Sequence, residues 1–218
     1  MEIYHKDRMP RTILMVLLLL ALMAEARAAN LSFVSCWPKK QQSDPVSRSM
    51  KSHTVTSPSR WRAYATVDAN ANNGACQNTT RLYIASPGHD FAAVLTISPA
   101  GTQNGNGIRV VGWSPTGEQL LLETTSWAYN SDATPDVAVL IYDTRKGVQK
   151  PDVIKGLLEY FGSRCAFGYS VVGWQSERSI VLRVRPFREA LDDDPSCVER
   201  PIVFDYELDH GTFRPAAF

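Results

Sequence analysis

Strand patterns dominate the chain beyond its N-terminal segment. Residues 180–185 read Ile-Val-Leu-Arg-Val-Arg, with Ile180, Leu182 and Val184 on one face and Arg183 and Arg185 on the other. Period two is the signature of a half-buried strand. Residues 61–67 repeat it with Trp61, Ala63, Ala65 and Val67. Leu120-Leu121-Leu122 and Val137 to Tyr142 are apolar throughout, as in strands covered on both faces. Leu82–Ile84, Ala93–Ile97, Ile108–Val111 and Ile202–Tyr206 complete the predicted strands. One segment has helical spacing instead. In 151–162, Val153, Ile154, Leu157, Leu158 and Phe161 share a face, with Pro151 before them and Gly162 after. Gly156 weakens that helix on propensity alone.

Turn residues divide these strands into repeats. Val-Val-Gly-Trp occurs twice, ending at Trp113 and Trp174. Ser114-Pro115-Thr116-Gly117 and Gln175-Ser176-Glu177-Arg178 follow the two tryptophans, and Ser57-Pro58-Ser59 precedes an earlier strand in the same way. Asn104-Gly105, Asn106-Gly107 and Thr144 to Gly147 read as further turns. Aligned on the shared turns, the chain forms three units starting near Ser57, Ser114 and Gln175. Trp113 and Trp174 are then expected in equivalent packing positions. The predicted class is all-β, mainly antiparallel, with one short helix.

Residues 13–23 form an unbroken apolar run, preceded by Lys6, Arg8 and Arg11 and followed by Ala26-Arg27-Ala28. This is the layout of a secretory signal peptide over residues 1–28, cleaved after Ala28 or Ala29, with Met9 an alternative start. The run is too short for a bilayer span, which takes about 20 residues. The predicted organisation is signal 1–28, lead-in 29–56 and one β-repeat domain 57–218. The expected mature chain is soluble and exported, to a periplasm or the extracellular space, with no stable membrane insertion.

Residues 1–28 carry four of the 23 Lys+Arg and three of the 22 Asp+Glu, so the remainder balances at 19 of each. A neutral chain exerts no general pull on nucleic acid. The lead-in is locally basic, with Lys39, Lys40, Arg48, Lys51, Arg60 and Arg62 against Asp44 in 38–62, and reads as a solvated segment. All four cysteines, Cys36, Cys76, Cys165 and Cys197, lie beyond the signal. An even number in an oxidising compartment implies two disulfides, with three connectivities open.

Candidate chemistry is sparse. His53, His89 and His210 have no metal-ligand spacing. Ser86-Pro87-Gly88-His89-Asp90 groups triad residue types, but adjacent residues do not converge as a triad must, and a turn is expected. Asp192-Asp193-Asp194 lacks the alternate spacing of a calcium loop. Gly101 to Gly107 lacks the Lys-Ser/Thr of a phosphate loop. Asn30-Leu31-Ser32 and Asn78-Thr79-Thr80 match the glycosylation sequon. No catalytic, cofactor-binding or metal residue is assigned, and no cofactor is expected.

"WSPTGEQLLLE" followed by "VLIYDTRKG" resembles the repeat of TolB-type β-propellers. Trp113, Ser114, Pro115, Gly117, Tyr142, Asp143 and Gly147 carry the likeness, with Thr116 where that repeat has Asp. The first unit keeps Ser57-Pro58. The third keeps Trp174 and ends in "FDYELDHG". The resemblance implies blade-like sheets over about 53–214. Three units cannot close a propeller, so an open stack is expected rather than a ring completed by two chains. The blade plan also implies the pairing, Cys36–Cys76 and Cys165–Cys197.

Two functions follow as expectations. The first is a non-catalytic module binding a protein or envelope glycan through an aromatic patch of Tyr64, Tyr83, Trp127 and Tyr129. The second is a secreted hydrolase with Asp, His and Ser on its loops, in which His89 or His210 meets a carboxylate in a cleft.

Overall fold

The computed structural model describes residues 31, 33–37, 45–131, 135–163, 165–187 and 198–216. The predicted signal peptide, Asn30, Asp192–Asp194 and Cys197 lie outside the described residues.

Three antiparallel meanders form the chain. The first contains β1 (Arg48–Lys51), β2 (Val55–Thr56), β3 (Arg62–Asn72), β4 (Ala75–Ala85) and β5 (Ala92–Ile97). β1 and β2 are two pieces of one broken edge strand, both paired with β3. The second runs in order through β6 (Asn104–Trp113), β7 (Gln119–Ala128), β8 (Asp136–Asp143) and β9 (Gly147–Gln149). The third does the same through β10 (Phe167–Ser176), β11 (Ser179–Pro186), β12 (Ile202–Glu207) and β13 (Thr212–Pro215). Helix α1 (Val153–Phe161) joins the second sheet to the third. The sheets are blade-like and stack openly without closing. The first includes β1, upstream of residue 57, which is exposed throughout and has no apolar period to mark it in the sequence.

Sheet 2 is the middle layer. Ile108, Val110, Leu120, Leu122 and Leu140 face sheet 1, where they pack with Ala63, Ala65, Val67, Leu82 and Ile84. Leu121, Val139 and Ile141 face sheet 3 and pack with Val171, Ile180, Leu182, Val184 and Phe204. The continuous apolar runs in β7 and β8 therefore serve two cores at once. Leu31, Val34 and Cys36 of the lead-in are buried in the first of these cores.

The repeated Val-Val-Gly-Trp is a repeated β-bulge. Val110 pairs with Leu122 and Gly112 with Leu121, so Val111 is the extra residue. In sheet 3, Val171 pairs with Leu182 and Gly173 with Val181, leaving Val172 extra. A bulge shifts side-chain parity by one. Trp113 thus joins Val110 on the face toward sheet 1, and Trp174 joins Val171 on the face toward sheet 2. Each indole, half-buried, donates its Nε1–H to the preceding sheet: Trp113 to the Val55 carbonyl at 3.4 Å, Trp174 to the Gly112 carbonyl at 3.0 Å. The turns after them also stack, since Ser59 Oγ donates to the Gly117 carbonyl and the Thr116 N–H donates to Glu177.

Asn104–Gly107 is not a turn. It opens β6, where Trp127 lies against Gly105 and the Asn106 side chain donates to the Asn78 carbonyl. Asn and Gly read as a turn locally, but here they fit a crowded buried strand.

The helix forms as its spacing predicts. Asp152 caps its start by accepting the Lys155 N–H, and the Gly162 N–H closes on the Leu158 carbonyl. Gly156 has a packing reason. A Cβ there would come 2.6 Å from Phe213 Cε2 and 3.0 Å from the Gly211 carbonyl. Gly156→Ala is therefore expected to destabilise, by roughly 1–3 kcal/mol through overpacking, although helix propensity alone would stabilise by about 1. Urea unfolding gives the sign, and a stabilised variant would show that β13 yields to the helix.

Candidate functional site

β10 is the first strand of sheet 3 and stands at its edge. An edge strand presents unpaired backbone groups. At Val171 those groups are taken by a fork of two side chains from sheet 2. Val171 N–H donates to Glu123 Oε2 at 2.7 Å, and the Arg109 guanidinium donates to the Val171 carbonyl. Arg109 and Glu123 pair with each other in two bonds, at 3.1 and 2.8 Å. They sit opposite one another on β6 and β7, so the ladder that builds sheet 2 also aligns the fork. The Glu123 side chain is 10% exposed and the Arg109 side chain 22%. A comparable arrangement joins sheets 1 and 2. Asn78 Nδ2 and Thr80 Oγ1 both donate to the Asn106 carbonyl of β6.

Beside the fork lies a cavity of about 750 Å³. One wall is the segment from Ala166 to Val172, most of it β10; the other comes from Thr125, Asp136 and Val137 of sheet 2, with Pro135 just before β8. A second cavity of about 640 Å³ adjoins it, sharing Thr125, Asp136, Val137, Ile154 and Tyr169. Tyr169 stands between them, with its hydroxyl donating to the Val137 carbonyl at 2.7 Å. Burial, with Glu123 and Asp152 nearby, pushes its phenol far above the usual range, so it stays neutral. Phe33, Ile154 and Val172 line the first cavity while 65%, 45% and 48% exposed. Arg183 and Arg185 line it too, both exposed. The recess thus offers an apolar rim, a strand edge and cationic groups together.

The four aromatic residues expected in one patch fall in two places. Tyr64 and Tyr83 stack at 4.9 Å on sheet 1, with Phe91 edge-on to Tyr64 and Lys51 Nζ 3.7 Å above its ring. Trp127 contacts Phe33 and Tyr129. Tyr129 is structural: its hydroxyl lies 2.9 Å from the Val34 carbonyl and 2.8 Å from Asn78 Oδ1. Alternation in a strand assigns a face but does not bring distant strands together, so sequence could not separate these pairs.

His53, His89 and His210 are exposed, and none lines the two cavities. Ser86–Asp90 is a turn closed by the His89 N–H on the Ser86 carbonyl. Asn78 of the second sequon is fully buried, its amide nitrogen donating to the Val34 and Asn106 carbonyls, so the folded chain does not offer it for glycosylation. Cys36 and Cys76 are disulfide-bonded, both fully buried. Cys165 is also disulfide-bonded; the partner expected for it, Cys197, lies outside the described residues. Among the described residues no cluster of His, Cys, Asp or Glu is placed to hold a metal, and no helix is long and apolar enough to cross a membrane.

Sequence reading missed Arg109, Glu123 and Phe33. Glu123 did carry a signal, a lone charge directly after a buried run of three leucines. Comparison with family models, curated proteins and solved structures found no match to this chain.

Proposed function

We propose that this is an exported, non-catalytic binding module that recognises its partner in the recess between sheets 2 and 3. The observation that carries the reading is the gathering of Phe33, Ile154 and Val172, three exposed apolar side chains, around one cavity with two exposed arginines. Apolar walls with a few placed polar groups are what recognition sites use. Export is supported by the apolar run at 13–23 and by the buried Cys36–Cys76 bridge, which needs an oxidising compartment to form and persist. The TolB-type likeness belongs to the same reading, supported by the matched places of Trp113 and Trp174.

A thermal-shift screen against peptides, envelope glycans and chromogenic ester, amide and glycoside substrates tests it. A true ligand at 100 times its Kd adds about 2.7 kcal/mol, or roughly 5 °C or more. That shift should vanish in an Ile154→Glu/Val172→Glu variant, which charges the rim. Turnover of any hydrolase substrate that the rim variant slows would favour the hydrolase reading instead.

A further inference from the structure

We infer that the ligand of this recess is an extended acidic peptide that adds as a strand to the free edge of β10, with carboxylates two residues apart meeting Arg183 and Arg185. The inference rests on the binding reading above and specifies its ligand. An antiparallel ladder alternates inward and outward backbone groups. Because Val171 points its N–H and C=O out of the sheet, Tyr169 and Phe167 point theirs the same way. Of these three, Val171 alone has its edge groups taken, among the described residues. Every residue from Cys165 to Val172 lines the cavity.

The arginines approach the same edge from behind. Arg185 pairs with Gly168 and Arg183 with Ser170, all on the face of sheet 3 turned away from the core. Arg185 lies across the glycine: a Cβ on Gly168 would meet its Nε at 3.3 Å and its Cγ at 3.5 Å. Its Nε therefore lies over β10, and both arginines line the cavity. No described residue forms an ion pair with either arginine. Alternate residues of a strand are about 6.8 Å apart. Side chains two apart on an added strand would thus fall in register with the two guanidiniums. Main-chain bonds supply affinity in such complexes and alternate side chains supply specificity. Asp136, at the start of β8, lines the same cavity and forms no ion pair with a described residue.

The probe is a fluorescein-labelled octapeptide with Glu at its fourth and sixth positions and Val or Thr elsewhere, titrated by anisotropy against the full chain. Two twins accompany it, one with Gln for both Glu and one N-methylated on alternate residues. The Glu peptide should bind at least tenfold more tightly than its Gln twin, a charge-assisted bond being worth about that much. The N-methylated twin should not bind. Arg183→Gln and Arg185→Gln should each weaken the Glu peptide about tenfold and leave the Gln twin unchanged. Hydrogen exchange should slow at Phe167 and Tyr169 when the Glu peptide binds. Equal binding of the Glu and Gln peptides, undiminished binding of the N-methylated twin, or no binding by the wild type would each overturn the inference. An envelope glycan that protects the recess while all peptides fail would remove the added strand and leave the binding module. Peptide binding that ignores the Ile154→Glu/Val172→Glu variant would remove the recess itself.

Discussion

Replacing Cys36 and Cys76 together by alanine is expected to lower the unfolding free energy by about 4 kcal/mol. The bridge spans a sequence separation of 40. Closing a loop of that length removes chain entropy from the unfolded ensemble worth about 4 kcal/mol in the simplest account. Packing adds to this. Both sulfurs sit fully buried in the core between sheets 1 and 2, beside Leu31 and Val34. The bridge also holds a polar knot: the Val34 carbonyl accepts from Asn78, and the Tyr129 hydroxyl lies between the two. Losing the tether frees Leu31 and Val34 to leave the core and expose Asn78. For a stability of about 5–15 kcal/mol the loss is a large share. Equilibrium urea unfolding, with tryptophan fluorescence and far-ultraviolet circular dichroism overlaid, measures it. A loss below about 1 kcal/mol would mean that packing alone holds Leu31 and Val34 in place.

Much of the sheet plan could be read from periodicity. Leu120–Leu122 announced a strand buried on both faces, and the middle layer of a stack is where such a strand belongs. The shared turns after Trp113 and Trp174 announced a repeat, and both indoles do anchor to the preceding sheet. The mechanism of the anchor was hidden. A bulge is one unpaired residue, visible only once the partner strand is known, and the doubled valine at 110–111 and 171–172 breaks the alternation that reading depends on. Polar residues misled for a related reason. Asn104 to Gly107 has turn chemistry, yet Asn106 is buried because Asn78, 28 positions away, bonds both its side chain and its carbonyl. The recess was the least legible part. Its wall is a strand edge, its rim includes Phe33 from the lead-in, and its fork joins β6 and β7 to β10. Arg183 and Arg185 were correctly placed on the polar face of their strand. That a cavity lies beneath them depends on how two sheets meet, which local pattern does not encode.

Arg109→Met is the second large effect, expected to cost about 3 kcal/mol. Removing one partner of a largely buried pair leaves the other charge without its counter-ion, typically at about 3–5 kcal/mol. Here the stranded group is the Glu123 carboxylate, and the Val171 carbonyl loses its donor as well. Partial exposure of the guanidinium puts the figure at the low end. Glu123→Leu should cost somewhat less, about 2 kcal/mol, because an arginine can turn its head toward water. The double variant distinguishes two accounts of the fork. If the two side chains act as one unit bridging sheet 2 to β10, Arg109→Met/Glu123→Leu loses little more than either single change. The coupling should then reach about 2 kcal/mol, within the range for residues in one network. Amide exchange at Val171 should quicken in all three variants, because its N–H loses a correctly held acceptor. Additive losses would mean that each side chain serves its own sheet, and that the edge of β10 keeps its place through packing of Tyr169, Val171 and Trp174 alone.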